Sequence, residues 1–147
     1  MEELVKSLKV SLATVFSFYL KTHYFHWNVE GEGFYSIHKM FEQIYEDVYD
    51  SVDPLAEQIR TLQEYAPGSY KRFAELTKIQ DQTSVPDCCK MVDELIVDND
   101  KVVEVLNTSI GLATKHNKQG LINFLGGRIE QHTKWGWFLR ASKKEEE

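Results

Sequence analysis

Residues 34–63, FYSIHKMFEQIYEDVYDSVDPLAEQIRTLQ, place Ile37, Phe41, Ile44, Val48, Val52, Leu55, Ile59 and Leu62 three or four positions apart throughout, the spacing of one face of a helix. A helix over about 34–63 is predicted. Pro54 lies inside it; proline lacks an N–H and crowds the preceding turn, so a local kink is expected there. The apolar stripe continues to Leu62, which argues against a complete break.

Working outward, Leu4, Leu8, Leu12, Val15 and Tyr19 predict an earlier helix running to about Trp27, ended by Glu30-Gly31-Glu32-Gly33. Beyond the central helix, Ala66-Pro67-Gly68 and Ser84-Val85-Pro86 punctuate residues 64–86 around a short amphipathic piece, Tyr70 to Lys78. A third long helix is expected over about Asp87–Thr114, carried by Val92, Leu95, Ile96, Val102, Val103, Leu106 and Ile110. After the polar break Lys115–Gly120, a fourth is expected over about 121–140 on Leu121, Leu125, Ile129 and Leu139. Two helices, a long connection with one small helix, then two more helices is the order of an all-α, ferritin-like four-helix bundle with a single crossover. The length fits one domain, residues 1–147.

Composition agrees and narrows the function classes. With 3 Pro, 8 Gly and 42% apolar residues, a mostly helical core is favoured over any sheet. A formal net charge of -6 argues against a surface attracted everywhere to phosphates. The start, Met1-Glu2-Glu3-Leu4, is unlike a secretory leader, and no stretch reaches the roughly 18 apolar residues of a membrane span, so a soluble, cytoplasmic protein is expected. Cys88 and Cys89 are sequence neighbours, which disfavours an ordinary structural disulfide and fits a reducing compartment.

Candidate metal ligands concentrate around the first turn. His26 closes the first helix, His38 opens the second, and Glu42, Asp53 and Glu57 follow along it. Imidazole with carboxylate suits iron and other first-row divalent ions. The tight glycine turn lets His26 and His38 approach within one chain, and Asp53 and Glu57, four apart, are neighbours on one helix face. Fifteen residues separate His38 from Asp53, however, about 22 Å along a straight helix, too far for one ion. At 100° per residue His38, Glu42, Asp53 and Glu57 nevertheless fall within an arc of about 100°. A two-fold axis crossing the helix near Glu46–Tyr49 would therefore bring His38 of one chain to Asp53 and Glu57 of another, making two identical composite sites. A lone histidine on an apolar stripe is more often a hydrogen-bonded core residue, and helix acids are more often solvated. The common facing and the dyad arrangement favour the metal reading.

These residues resemble the Dps family, the mini-ferritins that oxidise ferrous iron and protect DNA from peroxide damage. The resemblance rests on His26-Trp27-Asn28-Val29, Gly31, Phe34, His38, Phe41, Asp53 and Ala56-Glu57, with spacings of 12, 15 and 4 between the presumed ligands. It implies a hollow dodecamer with ferroxidase centres at subunit dyads, iron as the metal, hydrogen peroxide or oxygen as oxidant, and ferric oxide stored in the cavity. His26, His38 and Glu42 match the ligand positions of one chain, Asp53 and Glu57 those of its partner, and Trp27 the aromatic residue beside the site. Tyr24, Trp27, Tyr45 and Tyr49 are candidate electron donors when oxidation is incomplete. The chain departs from the family pattern at Gln58, in place of a common arginine, at Pro54, and at His23, an extra imidazole one turn before His26. Lys118, Asn123 and Gly127 stand where the family often lines iron-access pores with acids. The lysine-rich arm used by some members on DNA is missing, and the end, Lys143 to Glu147, is net acidic.

The alternatives are a nucleoid-type protein that compacts DNA with little ferroxidase activity, a helical scaffold without a site, and a larger ferritin. The last would need Glu-x-x-His motifs inside one bundle, and the chain has none. His132, two residues from Glu130 and so on another side of its helix, is read as structural.

Overall fold

Five helices account for most of residues 1–143, the part of the chain that the computed structural model describes: α1 Glu2–Asn28, α2 Phe34–Thr61, α3 Tyr70–Leu76, α4 Cys88–Lys115 and α5 Gln119–Lys143. Residues 144–147, and with them most of the acidic ending, lie outside the described part. The architecture is the expected all-α bundle with one crossover. Its core is built largely on the predicted stripes: Phe41, Ile44, Val48, Leu55 and Ile59 of α2 are buried with Leu4, Leu8 and Leu12 of α1, Leu95, Val102 and Leu106 of α4, and Leu125 and Leu139 of α5. Phe18, which lay outside the predicted α1 stripe, joins them, while Tyr19, Ile37, Val52, Leu62, Ile96, Ile110 and Ile129 are only partly buried against this core.

Local chemistry explains the boundaries. Gly31 turns the chain between α1 and α2 with φ of +110°, a conformation that costs glycine nothing. Asp87 caps α4 by accepting from the Lys90 amide, and Ser69 caps α3 by accepting from that of Arg72. α2 runs through Pro54 without a break, since burial of the residues on either side, Ser51 and Leu55, holds the helix where propensity does not.

α1 packs on α2 and α4, α4 on α5, and α3 lies against α1. The crossover is fastened by charge as well as by apolar contact. Lys21, almost wholly buried, sets its Nζ 2.8 Å from Asp98 and 3.2 Å from Glu94 of α4 and donates to the Gln80 carbonyl. Cys88 and Cys89, at the start of α4, are free thiols. Among the described residues no helix is long and apolar enough to cross a membrane.

Candidate metal centre

His26 sits in the last turn of α1 and His38 near the start of α2, facing each other across the turn. His26 Nδ1 lies 2.8 Å from the His38 carbonyl oxygen, and His38 Nδ1 lies 2.7 Å from that of His26. A carbonyl only accepts, so each Nδ1–H donates and each ring is fixed in the tautomer whose Nε2 lone pair is left for another partner. The His26 carbonyl is available because a helix leaves its last carbonyls without intrahelical donors. The two rings stack, with centroids 3.8 Å apart and 13° between planes, and Phe34 stacks on His38 at 4.9 Å. Metal-binding imidazoles are held in this way, one nitrogen tied to a carbonyl and the other free.

The carboxylates form a separate group. Glu42, one turn after His38, is half-buried and has Lys39 Nζ 3.4 Å from its Oε2. Asp53 and Glu57 are exposed, one turn apart, further along the same helix. Because α2 is continuous, about 22 Å of helix still separates His38 from Asp53. Within one chain, accordingly, no group of three or more His, Cys, Asp or Glu side chains among the described residues is gathered closely enough to hold a metal ion. The chain carries an imidazole half, between the end of α1 and the start of α2, and a carboxylate half on α2.

Aromatic side chains extend from the imidazole half. His23 stacks on Tyr45 with centroids 3.8 Å apart and 10° between planes, lies 4.3 Å from the Trp27 ring, and has its Nδ1 3.0 Å from the Tyr19 hydroxyl. Burial, then the neighbouring charge of His26, lowers the pKa of His23. Tyr24 is apart from this set and donates to the Ser84 carbonyl. The link between Tyr19 and His23 had been available in their spacing, since residues four apart on a helix meet.

A Ferritin-like domain profile matches residues 5–145. Among solved structures, a Dps protein of Vibrio cholerae, described as a member of a broad superfamily of ferritin-like diiron-carboxylate proteins, superposes with a TM-score of 0.92 at 27% identity, covering 97% of this chain and 90% of that one. The chain belongs to the Dps branch of the ferritin-like family. This mini-ferritin is also 28% identical over 140 residues to the DNA protection during starvation protein of Helicobacter pylori, covering 95% of each chain. It is 31% identical over 139 residues to an uncharacterized low temperature-induced protein of Nostoc sp., covering 93% of this chain and 78% of the relative.

A second polar cluster in the mini-ferritin escaped sequence reasoning apart from His132. Arg128 of α5 grips Asp47 of α2 through two bonds of 3.0 and 2.8 Å, and Trp135 Nε1 donates to the same carboxylate at 2.8 Å. Burial raises the Asp47 pKa, but these bonds and the Arg128 charge outweigh it and hold the carboxyl below its usual range. Beside it, fully buried His132 donates from Nδ1 to Asn99 Oδ1 at 2.8 Å, and its Nε2 faces Arg128 Nη2 at 3.4 Å. With both nitrogens engaged inside the chain, His132 is structural.

Proposed function

We propose that this mini-ferritin is a ferroxidase whose sites are completed between two copies packed antiparallel along α2. His26 and His38 of one copy supply Nε2 atoms, Asp53 and Glu57 of the other supply anionic oxygens, and Glu42 adds a further oxygen once released from Lys39. The single observation that carries this reading is the reciprocal imidazole–carbonyl pair, which prepares two lone pairs where no complete set of three ligands is gathered among the described residues of one chain. The mixed nitrogen and oxygen donor set suits ferrous iron, which is the substrate here.

Hydrogen peroxide is the proposed oxidant. Two ferrous ions give it two electrons and, with two protons, yield two ferric ions and two water molecules. Iron and peroxide are thereby consumed together, and ferric oxide collects in the cavity of a dodecamer; DNA is protected because the reagents that damage it are removed. Ferrous oxidation by purified assembled protein, followed by absorbance with peroxide or oxygen, tests the reading: rapid ferric formation with peroxide is expected. Silent iron chemistry with strong, salt-dependent DNA retention in a gel-shift assay would replace it by DNA compaction.

A further inference from the structure

Among the described residues, Glu42 is the one proposed iron ligand that is ion-paired within its own chain. Lys39, three residues before it on α2, sets its Nζ 3.4 Å from Glu42 Oε2. The two side chains are 48% and 32% exposed, and an ion pair this open to water is weak and screened by salt. The same ammonium lies over the ring of Tyr35, an exposed residue, 5.9 Å from its centroid. An aromatic face attracts a cation, so Lys39 has a second resting place close by when Glu42 is taken by a metal.

We propose that Lys39 is a positioning residue that suits the dyad centre to repeated turnover: it gives up Glu42 to arriving ferrous ions and reclaims it as the ferric product leaves. The inference rests on the ferrous-oxidising reading of that site. Coulomb energy scales with the product of the charges, so an ammonium beside the site opposes a ferric ion half again as strongly as a ferrous ion at the same distance. The carboxylates act in the opposite sense. Their attraction also grows with the charge of the ion, so Glu42, Asp53 and Glu57 by themselves would hold the product more firmly than the substrate. Lys39 competes for one of the three, and its competition, like its repulsion, matters most for the ion that has to be released. The lysine carries no proton or electron in this cycle; it only moves between two partners. Weakness of the pair is what makes the exchange workable, since a strong, buried pair could not be opened by an arriving ferrous ion without a large penalty.

Two measurements on assembled protein test this, and they should move in opposite directions. Lys39→Gln removes the cation and keeps helix propensity. Anaerobic calorimetry should then show ferrous iron bound about two- to five-fold more tightly, the range that an exposed ion pair supplies. Recovery should be slower. Once each dyad site has taken two ferrous ions and peroxide has oxidised them, a second identical dose, added after a varied delay, reports the fraction of sites cleared; the recovery half-time should lengthen by a similar factor. Lys39→Arg, which keeps the charge, should return both values towards wild type. A site damaged by misfolding binds iron less tightly, so the expected pair of changes is not one that lost structure produces. Ferrous affinity unchanged or weakened in Lys39→Gln, or recovery as fast as in wild type, overturns the role of Lys39 and leaves the ferroxidase reading intact. Wild type that oxidises no iron even at full loading overturns both.

Discussion

Histidine serves two opposite ends in this molecule, and the difference lies in how many of its nitrogens the chain itself uses. In the cluster joining α2, α4 and α5, His132 gives Nδ1–H to Asn99 and points Nε2 at Arg128, while Arg128 is neutralised by Asp47. At the α1–α2 turn, His26 and His38 each spend one nitrogen on the other's carbonyl and keep the second. Buried polar groups ordinarily satisfy themselves, and a pair that stops halfway keeps two lone pairs for another partner, which is the basis of the proposed dyad site. Burial alone does not make the distinction: His26 is 7% exposed and His132 is 0% exposed.

The strongest way to break the comparison is complementation. A chain altered at His26 and His38 keeps Asp53 and Glu57, and a chain altered at Asp53 and Glu57 keeps both histidines; each alone should lose ferrous oxidation. In a mixed dimer one dyad site receives all four ligands and the other none. Partial activity should return on co-assembly, with mixing verified by mass spectrometry. Well-mixed particles as inactive as the separate variants would show that the two halves do not combine.

Smaller effects test each side separately. Glu57→Gln keeps helix propensity but removes a charged ligand; ferrous affinity, measured by titration calorimetry under anaerobic conditions, should fall about 10–100-fold, the loss typical of disturbing a metal site. Unchanged affinity would return Glu57 to the solvated surface. Asp47→Asn should do the reverse, leaving the iron affinity of the assembled protein alone while lowering stability by about 2 kcal/mol, since Arg128 loses its charge partner. Urea midpoints at fixed protein concentration measure it, and an unshifted midpoint would remove Asp47 from the structural cluster.

These two sides were unequally legible. The helices could be read because burial imposes a three-to-four spacing on the sequence itself, and their boundaries moved by only a few residues. The separation of the imidazole and carboxylate halves was equally readable, since a continuous helix is a ruler. Asp47 left no local trace: among Glu46, Asp50 and Asp53 it resembles another surface acid, and only its meeting with Arg128, 81 residues away, gives it a different role. Lys21 was invisible for the same reason, an apparently ordinary lysine whose partners lie on α4. The tautomers of His26 and His38 depend on backbone carbonyls, which carry no sequence signature.

The finest test concerns acid sensitivity. Burial, then the charge of Arg128, pushes the His132 pKa down from 6.5 to about 3. The unfolded chain therefore takes up this proton first as pH falls, and folding stability must decline across the window between those two values, by up to about 1.4 kcal/mol per pH unit for one such group. Asp47, held below 3.8, contributes stability that is lost only as pH drops further, through its own lowered pKa; His23, also held below 6.5, acts in the upper part of the window, so the His132 share is read from the difference between wild type and a His132 variant. His132→Gln, which can still donate to Asn99, should be less stable at neutral pH yet lose less on acidification. Thermal melts of metal-free wild type and variant from pH 7 to about 4.5 should accordingly converge as the pH falls, the difference cancelling groups that both proteins share. Parallel curves would mean that His132 accepts its proton in place, with Asp47 near enough to shelter the charge, and the contrast between a closed histidine and an open one would then rest on geometry alone.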